Sequence, residues 1–227
     1  MSLAGTGAVA IWHDLLPSAK DAFYEWHNRE HMPERTAVPG FVRGRRYIAL
    51  SGTPEYFNLY EASNPEVLSG PDYLARLNAP TPWTREVVAS FRNVARSVCR
   101  VAYSAGVGQG GVMATLRFDV PADAHAHVAD SLCSHALPPL ANRVGICGVH
   151  LCLTDEATSN IQTTEKKARA NATLVPTWIV LIEGGWEAAV DAAAVKVETA
   201  LGAALIGRVL DRSIYRLEHE RGETPAG

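Results

Sequence analysis

The chain contains an internal repeat, and this repeat constrains its possible folds more than any other feature. Arg96-Ser97-Val98-Cys99-Arg100-Val101 recurs as Arg212-Ser213-Ile214-Tyr215-Arg216-Leu217, so each half ends on Arg-Ser-aliphatic-x-Arg-aliphatic. Two shorter matches precede it in the same order, Gly40-Phe41-Val42 with Gly145-Ile146-Cys147 and Leu59-Tyr60-Glu61 with Leu181-Ile182-Glu183. Matches that keep one order along both halves indicate a duplicated structural unit.

Each half predicts the element order β-α-β-β-α-β, which is typical of a ferredoxin-like unit. In the first half we expect strands at 8–15, 41–50, 56–62 and 96–103, and helices at 17–31 and about 64–93, with Pro33 ending the first helix. In the second half we expect strands at 112–120, 145–153, 174–183 and 208–219, and helices at 122–136 and 186–203. The predicted boundaries are 1–105 for the first repeat, 106–111 for a Gly-rich linker and 112–227 for the second repeat.

The predicted strands carry apolar residues on both faces. In the first strand Val9 and Ile11 share one face, while Ala10 and Trp12 share the other. Strands of this kind are covered on both sides, by helices on one and by another layer on the other. The sequence therefore predicts an α+β fold in which two ferredoxin-like repeats pack their antiparallel sheets face to face as an intramolecular α/β barrel.

Charged residues at equivalent strand positions predict a salt-bridge framework between the halves. These positions are Glu61 with Glu183 and Arg100 with Arg216. The long polar segment at about 154–172 is expected to form either a solvated surface turn of helix or an ordered flap, and its charge run at 163–169 is expected to face solvent.

Composition excludes several classes of function. The chain has 227 residues, 47% of them hydrophobic, and a formal net charge of −3. This balance gives no basic surface for nucleic acid, no segment is apolar enough to span a membrane, and the N-terminus does not resemble a signal peptide. The four cysteines show no metal-ligand spacing. We therefore expect a cytoplasmic protein that binds neither nucleic acid nor membrane.

The segment Trp26–Arg35 holds the densest group of chemically active side chains. His27 and His31 are four residues apart and share a helical face, with Glu30 beside them. The string His-x-x-Glu-His also fits the inverted zincin pattern. We reject a zinc site because Pro33 is expected to end the helix and no third ligand follows in an obvious helix, so the sequence predicts no metal.

The first hundred residues resemble the dimeric α/β-barrel superfamily, in particular its EthD-like branch and related bacterial proteins of unknown function. The resemblance rests on the segment 26–35, on Pro39-Gly40-Phe41 with the Arg-rich strand that follows, and on the segment 79–84. It implies a pocket between a sheet and its helices or inside the barrel. Such barrels include monooxygenases, lactone isomerases, small decarboxylating or dehydrating enzymes and haem-handling proteins. The second half lacks the Glu, the Arg and the aromatic residue of this motif, so we expect any polar site to lie in the first half.

The residues predict a site built on imidazole chemistry, because a neutral imidazole titrates near physiological pH. The candidate catalytic residues are His31, His27 and Glu30. Arg35 and Arg45, or Arg46, are expected to hold a carboxylate or stabilise an enolate. The other candidate binding residues are His13, Trp12, Tyr56, Trp83 and Tyr60. The alternative is that this cluster only ties the end of the helix to its neighbours.

Three functions remain open at this point. The first is a metal-independent and cofactor-free enzyme that uses acid–base or oxygenase-type chemistry on an aromatic-derived or carboxylated metabolite. The second is a non-catalytic, ligand-binding or accessory barrel. The third is a haem binder that uses His13 or His150. We expect a small-molecule ligand in each case, and a homodimer.

Overall fold

The structure, a computed structural model, describes residues 3–202 and 210–222. The strands in these ranges are β1 (Gly7–Leu15), β2 (Phe41–Ser51), β3 (Tyr56–Ala62), β4 (Phe91–Gly106), β5 (Val112–Phe118), β6 (Ile146–Thr154), β7 (Trp178–Gly184) and β8 (Leu210–Gly222). They form a closed antiparallel barrel in the order β1-β3-β2-β8-β5-β7-β6-β4. The predicted fold class is therefore confirmed. The predicted helix end at 203 and strand start at 208 lie outside the described residues.

The two halves contribute sheets of the same topology. The first half orders its strands β4-β1-β3-β2, and the second half orders them β8-β5-β7-β6. The sheets join along two seams, where β2 pairs with β8 and β4 pairs with β6. One chain therefore closes the barrel by itself.

Side chains from the inner faces of both sheets fill the barrel. Trp12 and Phe57 stack with ring centroids 4.9 Å apart, and Tyr215 from the second half packs on Phe57 at 5.5 Å. The Trp12 Nε1 donates a hydrogen bond to Thr115 Oγ1 across the barrel, at 3.2 Å. The barrel is a packed core, which explains why the strands are apolar on both faces.

A buried ion-pair network links the two sheets inside the barrel. The Arg45 guanidinium lies 2.9 Å from Glu61 and 2.8 Å from Glu183. The predicted framework is thus present for the two glutamates. It was wrong for Arg100 and Arg216, which are exposed on their strands.

The helices lie on the outer side of the barrel. Their bounds are α1 (Lys20–Trp26), α2 (Met32–Thr36), α3 (Pro71–Asn78), α4 (Pro82–Val88), α5 (His125–Asp130), α6 (Leu137–Ala141), α7 (Glu156–Asn160), α8 (Thr164–Ala168) and α9 (Glu187–Leu201). Thr81 caps α4 by accepting a hydrogen bond from the Thr84 backbone N–H at 3.0 Å. The helical region predicted at 64–93 ends earlier than expected, because β4 begins at Phe91. No helix among the described residues is long and apolar enough to cross a membrane.

The first helix does not end before Pro33, contrary to the prediction. A π-helical stretch, His27–His31, follows α1 and leads directly into α2, which continues to Thr36. The wide π turn lets Pro33 occupy the first turn of α2, where its missing N–H and its ring are tolerated. The second half has the same interruption, a π stretch at Ser131–Ala136 followed by α6. The π turn is therefore a feature of the fold that both repeats share.

Candidate functional site

The π stretch places His27 between Arg46 of β2 and Tyr60 of β3. Arg46 Nη1 lies 3.2 Å from His27 Nδ1, and His27 Nε2 lies 3.1 Å from Tyr60 Oη. Because a guanidinium only donates, Nδ1 must accept and the imidazole proton must sit on Nε2. That proton is donated to the Tyr60 oxygen. The hydroxyl proton of Tyr60 is therefore free to be donated elsewhere.

Burial keeps both members of this pair neutral. Burial lowers the pKa of His27 well below its ordinary value, and the nearby His31 and Arg46 lower it further. Burial likewise raises the pKa of Tyr60 above its ordinary value, so its hydroxyl stays protonated. Arg46 is held in place by a second hydrogen bond, to Asn28 Oδ1 at 2.7 Å, and by the ring of Tyr24, 4.5 Å away.

A second chain of hydrogen bonds connects His13 of β1 to Asn58 of β3. His13 Nδ1 lies 3.3 Å from the Asp14 carbonyl oxygen, which accepts only, so Nδ1 carries the proton. His13 Nε2 then accepts from Asn58 Nδ2 at 3.0 Å, and this fixes the orientation of the amide. Burial lowers the pKa of His13 to about 3. Asn58 Oδ1 is left buried with no hydrogen-bond partner in the described part of the chain.

His31 lies one helical turn beyond His27. Its ring packs on Trp26 at 4.2 Å between centroids, and it is 6% exposed. Nδ1 of His31 has no hydrogen-bond partner among residues 3–202 and 210–222. Burial lowers the pKa of His31 well below its ordinary value, and the charges of Arg35 and Arg169 lower it further. His31 is therefore a neutral imidazole that can still form a hydrogen bond.

These groups border one pocket between the helices and the sheet of the first half. It is narrow, with a volume of about 20 Å³, and its walls are Ile11, Trp26, His27, His31, Asn58, Tyr60, Val88, Phe91, Glu165 and Arg169. The pocket combines an apolar, partly aromatic wall with a hydroxyl donor, an amide acceptor and an imidazole. Such a combination is typical of small-molecule sites.

The second half closes this pocket with the segment between β6 and β7. The prediction that this charged segment faces solvent was wrong for two of its residues, because Glu165 and Arg169 have side chains only 6% and 4% exposed. Glu165 forms an ion pair with Arg35 and lies 3.6 Å from Arg169. The sequence shows the charges but not their partners, which lie 130 residues away in the case of Arg35.

Several predicted site residues surround the pocket rather than line it. Glu30 accepts hydrogen bonds from Thr81 and Thr84 at 2.6 and 3.1 Å, so it ties the helix to α4. Arg35 is paired with Glu34 as well as Glu165. Tyr56 stacks on His13 at 5.3 Å. Trp83 is half-buried and packs against the apolar cluster around α4.

The structure separates Trp12 and Arg45 from the histidines. Both point into the barrel, on the opposite face of the sheet, because side chains alternate along a strand. Their neighbours Ile11 and Arg46 are the ones that face the helices. The sequence did not indicate Asn58, Glu165 or Arg169. The repeat offered a signal for Asn58, since the matching position of the second half is Val180.

The second half shows what the same location contains when no polar group is present. The register of β3 with β1 and of β7 with β5 aligns His13, Asn58 and Tyr60 with Phe118, Val180 and Ile182. All three are buried in an apolar cluster beneath α5, α6 and α9. The fold therefore does not require the polar groups of the first half.

The two histidines considered for haem do not fit that role. His13 uses both ring nitrogens and lies parallel to Phe91 with centroids 4.0 Å apart. His150 is enclosed in the barrel, with Ser104 at 2.9 Å from Nδ1 and Glu183 at 3.3 Å from Nε2. Neither imidazole has a nitrogen free for iron. Within the described residues, no group of three or more His, Cys, Asp or Glu side chains is arranged to hold a metal ion.

Comparison with known proteins identifies the fold. No family model matches the chain, and no curated protein matches it in sequence. An anthrone oxidase-like protein has a similar structure, with a TM-score of 0.65, 12% identity and coverage of 98% of this chain and 96% of that one. A protein of Fusobacterium nucleatum that is named as a monooxygenase has a TM-score of 0.58, 9% identity and coverage of 97% of this chain and 96% of that one. A haem-binding protein of Thermus thermophilus has a TM-score of 0.51, 10% identity and coverage of 95% and 92%.

These similarities extend over nearly the whole chain, so the protein has the ferredoxin-like, dimeric α/β-barrel fold. At such low identity they show the fold alone. The EthD-like branch stays a prediction.

Proposed function

We propose that the pocket of the first half is the active site of a small-molecule enzyme that needs no metal or cofactor. The observation that carries this proposal is the difference between the repeats. Tyr60 and Asn58 stand where Ile182 and Val180 complete an apolar core in the second half. Asn58 Oδ1 is buried without a partner in the described part of the chain, which costs stability, and the Tyr60 hydroxyl still has a proton to donate. Their presence at one of two equivalent locations supports a ligand that satisfies them.

The proposed chemistry is proton abstraction next to a carbonyl or phenol. His31, neutral and without a partner on Nδ1, accepts the proton. Tyr60 donates its free hydroxyl proton as a hydrogen bond to the oxygen on which negative charge develops. Trp26 and Phe91 line the pocket, and the ring of an aromatic-derived substrate would lie against them once the side chains of the narrow pocket move apart. In the oxygenase case the carbanion reacts with O₂, so that a CH₂ group becomes C=O and the second oxygen atom leaves as water.

Oxidase- and monooxygenase-like names among the structural neighbours are consistent with this proposal. We also expect the protein to act in the cytoplasm, which its four free cysteines support.

The test is turnover by two variants of the pocket. Enolisable aromatic ketones and phenols are screened for product formation and for O₂ uptake. For a compound that is turned over, we expect His31→Ala to lower kcat by about 10²–10⁴-fold and Tyr60→Phe by about 10²-fold. Both variants should stay folded by circular dichroism. Unchanged turnover in both variants contradicts the proposal, and loss of folded protein in His31→Ala supports a structural role for the cluster.

A second candidate function is ligand binding without catalysis. It is favoured by the strongly lowered pKa of His31, since a base of low pKa is a weak proton acceptor. Compounds that bind with a Tyr60-dependent affinity but are never turned over would select this function.

A further inference from the structure

A second cavity adjoins the proposed active site and is lined by an excess of positive charge. It is narrow, with a volume of about 10 Å³, and lies where the segment between β6 and β7 meets β4 and α3. Arg96, Lys166 and Arg169 line it, and Glu165 is the carboxylate among its lining residues. The rest of the wall is formed by apolar side chains such as Leu68 and Val98, and by threonines.

The positive charges are only partly neutralised by the protein. Arg96 donates a hydrogen bond to Tyr73 Oη at 3.1 Å, and Lys166 donates to the Ser159 carbonyl oxygen at 3.2 Å. Neither has a carboxylate within 4.0 Å in the described ranges. Glu165 forms an ion pair with Arg169 at 3.6 Å, but the same carboxylate also pairs with Arg35. Nε of Arg169 is buried without a hydrogen-bond partner among the described atoms.

The two cavities share a wall. Glu165 and Arg169 line both cavities. Arg169 therefore lies between the second, positively charged cavity and the pocket that contains Tyr60 and His31. Burial lowers the pKa of Arg169 to about 10, which the charge of Arg96 reinforces. Burial also lowers the pKa of Lys166, with Arg96 and Arg169 adding to the effect. A bound anion would relieve this crowding of positive charge.

We propose that Arg96, Lys166 and Arg169 bind a carboxylate group of the substrate. The proposal rests on the proposed function and names its substrate class, an aromatic carboxylate whose ring lies beside Trp26 and Phe91. A carboxylate is suited to the site because guanidinium groups bind it with charge-assisted hydrogen bonds. Arg35 is not part of this site, since Glu34 and Glu165 already neutralise it.

The test compares two probes of equal size, benzoate and benzamide, by isothermal titration calorimetry. We expect the wild-type protein to bind benzoate at least about tenfold more tightly than benzamide, since a charge-assisted contact is worth about 1.5–3 kcal/mol. Arg169→Gln should remove this preference.

Two further variants make the result decisive. Lys166→Gln changes a more exposed side chain, so it tests the site even if Arg169→Gln fails to fold. This variant should reduce the preference for benzoate over benzamide several-fold. Lys167→Gln makes the same charge change in α8 on an exposed residue that lines neither cavity, and it should have no effect. Equal binding of the two probes to the wild type, no binding of either, or a preference that survives in both Arg169→Gln and Lys166→Gln overturns the proposal.

The outcome is separable from that of the proposed function. A benzoate preference that depends on Arg169, together with turnover that is insensitive to His31→Ala and Tyr60→Phe, supports the carboxylate site and contradicts the proposed chemistry.

Discussion

His13, His27 and His31 are neutral for one shared reason, which is burial between the helices and the sheet. Each has a pKa below its ordinary value. In the unfolded chain an imidazole takes up its proton near pH 6.5. Below that pH the unfolded state therefore binds more protons than the folded state, and folding becomes less favourable as the pH falls.

This imbalance predicts acid sensitivity at the level of single residues. Below pH 6.5 each of the three histidines should lower the free energy of unfolding by up to about 1.4 kcal/mol per pH unit, and for His13 this should continue to about pH 3. His13→Phe introduces the residue found at the equivalent position of the second half, Phe118. In this variant the free energy of unfolding should fall less steeply with decreasing pH, because one of the three histidines no longer contributes. Urea denaturation at pH 7, 6 and 5 measures it. Exposed His127→Gln serves as the control, and a slope that is the same in His13→Phe and wild type contradicts the prediction.

Residue identity in the site was only partly predictable from the sequence. His27 and His31 were found because helical spacing brings residues four apart to one face. Arg45 was chosen beside Arg46, and their positions on opposite faces of β2 decide that Arg46 contacts His27. Asn58 was missed because a single amide in a buried strand carries no motif, and its role depends on His13 from another strand.

At the scale of elements, the segment between β6 and β7 connects the halves at the pocket. It is anchored at both ends, since the Asp155 backbone N–H donates to Val98 O at 2.8 Å and the Leu174 N–H donates to Val94 O at 2.9 Å. Between these anchors, α7 and α8 bring Glu165 to Arg35. The segment therefore depends on ion pairs as well as on backbone hydrogen bonds.

Breaking this contact should loosen the segment. Glu165→Gln leaves the buried charge of Arg35 with Glu34 alone, so we expect a loss of about 2–3 kcal/mol in the free energy of unfolding. Faster proteolysis within residues 155–172 should accompany it. Glu156→Gln, an exposed change in the same segment, should alter neither quantity. Equal effects of the two variants would show that the Arg35 contact does not hold the segment.

Strands were easier to predict than helix ends. Apolar runs bounded by turns are local signals, and they located β1, β2 and β3 within one residue of their ends. The end of the first helix was wrong because Pro33 follows a π turn, whose wider backbone geometry has no sequence signature comparable to proline itself. Charge runs were misjudged because paired and solvated charges look the same in a sequence.

For the whole molecule, the ion pairs inside the barrel join what would otherwise be two separate sheets. Burial alone would raise the pKa of Glu183, but the hydrogen bond with His150 and the charge of Arg45 lower it to about 2. Arg45 comes from the first half and both partners of this carboxylate lie within the closed barrel. The barrel interior thus contains charges that are stable only when both halves are in place.

Removal of the shared cation should destabilise the entire barrel. We expect Arg45→Met to lower the free energy of unfolding by about 3–5 kcal/mol, because Glu61 and Glu183 lose a buried partner. Exposed Arg100→Gln is the control. Chemical denaturation followed at the tryptophans of both halves should show one cooperative transition, and a loss below about 1 kcal/mol would contradict the prediction.

The fold was predictable at this scale because the duplication and the two-sided apolar strands are properties of the whole sequence. The repeat boundaries at 1–105, 106–111 and 112–227 stay a prediction, as does the homodimer. Since the chain closes its barrel along both seams, such a dimer would have to associate through its outer surface.

The covalent union of the two sheets has an evolutionary consequence. When identical subunits assemble about a twofold axis, every substitution appears twice. Each copy must then both contain a pocket and supply the segment that closes the pocket of its partner. Here one copy has an apolar cluster beneath its helices, where the other has the pocket, and it supplies Glu165 and Arg169 to that pocket. Fusion removes the symmetry constraint, so each copy is free to specialise for a different task.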